Sequence, residues 1–75
     1  MAKGSRSNGR VIAFDEPRGL GEVEDDQGVR YPFHCTAIAD GTRTIAVGRA
    51  VEFRVVTGPI GTREAAEVTP RIEAG

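Results

Sequence analysis

Side chains able to do chemistry are sparse in these 75 residues. One histidine, His34, sits beside one cysteine, Cys35, and nine arginines accompany a single lysine, Lys3. A lone Cys and a lone His fall short of the four ligands of a structural zinc site, and one cysteine closes no internal disulfide. As a catalytic base His34 would need a partner nucleophile or a perturbing charge placed for it. The sequence offers neither, so no enzymatic activity is expected. Cys35 reads either as a redox-sensitive thiol or, more blandly, as a small half-buried side chain. Glu22, Glu24, Asp25 and Asp26 form an acidic stretch whose spacing does not match an EF-hand calcium loop. Neither a metal nor another cofactor is expected. Arginine, by contrast, is well suited to phosphate.

Ten basic residues against eleven acidic ones leave a net charge of −1. That balance argues against a strong overall electrostatic grip on nucleic acid, although clustering matters more than the sum. The predominance of Arg over Lys, with abundant Ala, Gly and Val, also suggests a GC-rich coding genome. No apolar run is long enough to span a membrane, and the segment Met1–Ser5 lacks the apolar stretch of a signal peptide. A cytoplasmic location is expected. The length fits one small domain near the lower limit for a self-sufficient core.

The elements that must position these residues are short and β-type. Residues 1–8 are polar and small, with Lys3 and Arg6, and read as a disordered arm. A first strand over Val11–Phe14 ends at a Pro17/Gly19 turn, and Leu20–Glu24 and Val29–His34 follow on either side of the turn at Asp25–Gly28. Thr36–Ile38 reads as one helical turn. Ala50–Val56 alternates clearly, and Glu64–Thr69 is a last strand before Pro70. Five short strands without a long helix predict a small closed all-β barrel over residues 9–70, with a tail at 71–75. Period-2 alternation selects Val11, Val23, Phe33, Ile38, Val51, Phe53, Val55 and Val68 as core, with Gly21 and Ala66 allowing close strand approach.

Arg18-Gly19-Leu20-Gly21-Glu22-Val23 and, further on, Tyr31-Pro32-Phe33-His34-Cys35 are the most specific segments. Together with Gly9, Val11, Phe14-Asp15, Thr36-Ala37-Ile38, the run from Gly48 to Phe53 and Ala65-Ala66-Glu67-Val68, they resemble the cold-shock domain. The resemblance covers Gly9 to about Val68. It implies a five-stranded antiparallel barrel of the OB type and, by analogy with bacterial cold-shock proteins, single-stranded RNA or DNA as partner.

The family's base-stacking side chains are largely replaced. Leu20 and Glu22 stand for the two Phe of the first ribonucleoprotein motif, and Arg18 for its Lys. In the second motif Pro32 and Cys35 replace Phe, while His34 is retained. Ala13 stands for the Trp of the first strand, and Thr42 and Arg43 for a loop aromatic. One base stacked on a ring is worth ~1–3 kcal/mol, so several lost platforms remove on the order of 5 kcal/mol. The resemblance therefore implies weak binding of low sequence specificity. Arg10, Arg18, Arg30 and Arg43 would contact phosphates, and Phe14, Leu20, Pro32 and His34 would offer the residual base-facing surface. Ile12, Leu20 and Pro32 also form a modest apolar patch beside Glu22. The alternative reading is thus a protein-interaction or regulatory module that kept the barrel and lost the nucleic acid.

Overall fold

The computed structural model describes residues 6–72. It is all-β apart from one short 3-10 turn: β1 (Ser7–Asp15), β2 (Leu20–Asp25), β3 (Arg30–His34), the 3-10 turn Cys35–Ala37, β4 (Ala50–Thr57) and β5 (Arg63–Pro70). The four strand-to-strand pairings are antiparallel, in the order β3-β2-β1-β4-β5. β1 starts four residues earlier than its apolar run suggests. Ser7 pairs with Phe53 and Asn8 with Glu52, inside the segment expected to be a disordered arm. Residues 1–5 of that arm and the last three residues of the expected tail lie outside the described residues.

The sheet curls until its first and last strands meet, but the ladder stays open between β3 and β5. There the ends are joined by a bridge between Ile38 and Val68, with the Ala39 N–H donating to the Val68 carbonyl at 2.8 Å. Pro32 explains part of this. It has no N–H to offer, and an edge strand is where a sheet tolerates that loss.

Val11, Val23, Tyr31, Phe33, Ile38, Ala50, Val51, Phe53, Ala65 and Val68 are buried. Two β-bulges explain where this core departs from simple alternation. In β5 the pairing jumps from Glu52↔Thr69 to Arg54↔Ala66, so one extra residue is accommodated and Glu67 takes φ 52°. The phase reverses there, and Ala65 rather than Ala66 is buried. In β1 the pairing runs from Val11↔Val23 to Ala13↔Glu22, so Ile12 and Ala13 together oppose Glu22. Val55, expected in the core, is only partly buried against it, whereas Tyr31 belongs to it.

The bulge in β1 turns Phe14 inward. Phe14, Gly21 and Phe33 then form one row across β1, β2 and β3. The two rings stack with centroids 6.0 Å apart and planes within 13°. A Cβ at Gly21 would run into both rings, which is why the middle of this row carries no side chain. The glycine thus reports aromatic packing beneath the strand as well as strand curvature.

Candidate nucleic-acid interface

With Val11–Val23–Tyr31 and Phe14–Gly21–Phe33 facing inward, the register fixes what β1, β2 and β3 present outward. Three rows result: Arg10–Glu24–Arg30, then Ala13–Glu22–Pro32, then Asp15–Leu20–His34. The last row is held at its end by the Cys35 N–H, which donates to the Gly19 carbonyl at 2.7 Å. Gly19 itself adopts φ +66° in the β1–β2 turn, and a Cβ there would strike the Cys35 sulfur. Leu20 and His34 are therefore brought side by side, with Pro32 one pair away. All three are exposed.

Arginines lie at both ends of this face. Arg10 donates to the Gly48 carbonyl at 2.9 Å. The Arg30 Nε lies 3.3 Å from a Glu24 carboxylate oxygen, and the Arg18 Nε 3.7 Å from one of Asp15. Their side chains remain 61% and 75% exposed. Ion pairs this exposed are worth ~0–1 kcal/mol, so a phosphate can exchange with the carboxylate at small cost. Arg43 stands apart, on the loop between the 3-10 turn and β4, with an unusual φ of 62°. That loop is tied to the β1–β2 turn by the Thr44 hydroxyl, which donates to Glu16 at 2.7 Å. Within the same loop Asp40 accepts from the Thr42 hydroxyl at 2.8 Å and from its N–H at 3.1 Å. Chiefly the hydroxyl, then the N–H, holds the Asp40 carboxyl below the ordinary aspartate range.

Of the eight residues singled out by sequence, Leu20, Pro32 and His34 share the outer face, and Arg10, Arg18 and Arg30 border it. Phe14 is turned away into its stack on Phe33. The chain has three Phe, one Tyr and no Trp. Phe14, Tyr31, Phe33 and Phe53 all belong to the core or pack against it, so no Phe, Tyr or Trp ring faces outward from the three rows and the imidazole of His34 is the one aromatic ring exposed there. One residue of the face had no short-range signal. Glu64 of β5 lines the same shallow depression as Leu20, Pro32 and His34, because the curl of the sheet carries β5 up to β3. Its carboxylate lies over Gly58, where a Cβ would not fit. A larger groove continues past His34 to Val56, Pro59 and the exposed Ile60 at the β4–β5 turn.

The chain has relatives in sequence. The chain is 40% identical over 57 residues to cold shock-like protein CspA of Stigmatella aurantiaca, covering 73% of this chain and 84% of that protein. It is 36% identical over 59 residues to cold shock-like protein CspE of Buchnera aphidicola, covering 76% and 86%. The chain belongs to the cold-shock family. Its relatives include plant proteins. Cold shock protein 1 of Arabidopsis thaliana is 37% identical over 67 residues, 87% of this chain but only 22% of that protein. The chain thus spans about a fifth of that longer relative. No family model matches it. Against the cold-shock pattern the barrel and its glycines are kept, and the outer face is rewritten.

Proposed function

We propose that the protein binds single-stranded RNA or DNA across the outer face of β1, β2 and β3, weakly and without a sequence motif. The observation that carries this reading is the pairing Leu20↔His34 next to Pro32, an exposed apolar strip, with Arg10, Arg18 and Arg30 at its borders. The strip gives bases a dry surface and the arginines take phosphates. Weakness follows from the absence of an outward Phe, Tyr or Trp, because a leucine, a proline and one imidazole cannot supply the stacking energy of several large rings. Breadth follows from the same cause, since apolar contact and phosphate pairing recognise every nucleotide alike.

Titration of fluorescent oligothymidine and mixed-sequence RNA at low and moderate salt tests this. Binding that weakens with salt, and is reduced by Arg18→Ala and by His34→Ala with the fold intact, is expected. Dissociation constants above about 1 mM for both strands at low salt would remove the reading. The apolar strip would then be left to a protein partner.

A further inference from the structure

Two carboxylates on the face differ in a way that the family resemblance does not explain. Glu24 lies between Arg10 and Arg30 and is ion-paired to the latter. Glu22, one pair further along β2, lies between Ala13 and Pro32, and among the described residues it has no hydrogen bond or ion pair. It is half-buried and occupies the centre of the three rows. Glu64, at the edge of the neighbouring depression, is likewise without a partner among the described residues.

We infer that Glu22 is a specificity-determining residue, which makes this face favour bases presenting N–H donors, guanine first, over uracil and thymine. The inference rests on the nucleic-acid reading above and adds a compositional preference to it. An ionised carboxylate is an acceptor only, with two oxygens to satisfy. A base laid over Ala13 and Pro32 strips water from Glu22, and the stripped oxygens then demand donors. Guanine offers two adjacent donors, N1–H and the N2 amino group, which match the two oxygens. Cytosine and adenine offer one amino group each, beside a ring nitrogen that accepts. Uracil and thymine offer a single N3–H between two carbonyls, and both carbonyls repel the carboxylate. A polar site left unpaired in this way rejects its ligand more strongly than an apolar site can. Glu24 exerts no such preference because its row is flanked by Arg10 and Arg30, the side chains that take phosphates, and not by the Ala13 and Pro32 surface on which a base would lie.

The test compares unstructured RNAs of about eight nucleotides at one low salt concentration: oligouridine, oligocytidine, and alternating guanosine and uridine. The expected order is guanine-containing, then cytidine, then uridine, with about tenfold between the extremes. Glu22→Gln, whose amide both donates and accepts, should compress that range to about twofold, chiefly by strengthening oligouridine. A denaturant midpoint unchanged from wild type shows that the fold is kept. Equal or tighter binding of oligouridine by the wild type, or a preference that survives Glu22→Gln, overturns the inference while leaving nucleic-acid binding in place. Failure to bind any of the three strands overturns the underlying reading, and the inference with it.

Discussion

The two outer faces of this barrel use arginine in opposite ways. Across β1, β4 and β5, Arg6 is spent on structure. Its guanidinium reaches Glu52 at 3.2 Å and Glu67 at 3.1 Å, and also bonds the Glu67 carbonyl and the Thr69 hydroxyl. Arg54 adds a 2.7 Å pair to the other Glu67 oxygen. The cluster spans the bulge where Glu67 holds its strained φ, and the Arg6 side chain is only 29% exposed. Across β1, β2 and β3, Arg18 and Arg30 each hold a single carboxylate loosely and stay mostly in solvent. Ten basic residues therefore do not count equally towards a partner. Arg6, grouped by sequence with a basic arm, is a clamp, and Arg18 and Arg30 carry charge that can be lent.

The faces share one core, and the largest expected effect removes both. Phe33 is buried and stacks on Phe14 beneath the outer rows. Phe33→Ala should cost ~3–5 kcal/mol in stability, enough to unfold a domain of this size in much of the population. Urea unfolding followed by circular dichroism measures it, and binding should fall in step with the folded fraction. A stable, folded Phe33→Ala protein would mean that the face stands on something other than this aromatic row. Next in size, Glu22→Phe places a ring at the centre of the outer face and removes the unpaired carboxylate. Affinity for oligothymidine should rise by ~1–3 kcal/mol, about fivefold to 150-fold, with stability changed by under about 0.5 kcal/mol. An unchanged affinity would show that strands do not cross the middle row.

Much of the fold was legible because period-2 alternation, turn residues and the glycine pair agree with one another. The five strands and most of the core follow from that agreement. What alternation does not carry is the bulge, since an extra residue leaves no mark in a pattern of apolar and polar positions. Read without the bulge in β1, Phe14 belongs with the base-facing residues; with it, Phe14 packs on Phe33. The bulge in β5 likewise exchanges Ala66 for Ala65. On the candidate face, Leu20, Pro32 and His34 were legible because β2 and β3 are joined by a short turn that fixes their register. Glu64 was not, because it reaches the face only through the curl that brings β5 to β3, thirty residues away in sequence. The loose or tight pairing of each arginine is equally a property of the assembled surface.

Arg6→Ala tests the contrast directly. Loss of the clamp should lower stability by ~1–2 kcal/mol, several exposed charge-assisted bonds acting together, and leave affinity for single strands unchanged once the folded fraction is allowed for. Affinity that falls with Arg6 would assign the clamp to the binding surface and erase the distinction between the faces. Arg30→Ala is the mirror experiment. Stability should move by less than about 0.5 kcal/mol, while the slope of log affinity against log salt becomes less negative by about 0.7, one phosphate contact on a single strand. A slope that does not change would place Arg30 outside the path of the strand.

The smallest expected effect lies in the loop that runs between the two faces. Asp40 has a lowered pKa because the Thr42 hydroxyl and N–H donate to its charged form. A carboxyl whose pKa is depressed by folding contributes stability above its unfolded pKa, and that contribution is lost as pH falls through the folded value. Thr42→Val removes the hydroxyl and keeps the N–H, so the Asp40 pKa should rise part of the way to the ordinary range, readable by NMR titration of its carboxyl carbon. The acid limb of the stability profile should then steepen less as pH drops below the ordinary carboxylate range. Because Asp40 is fully exposed, neither face should respond: the Arg30 salt slope and the cost of Arg6→Ala are expected to be the same in the Thr42→Val background. If either changed, the loop would be coupling the lending face to the clamping one, and they could no longer be treated as independent.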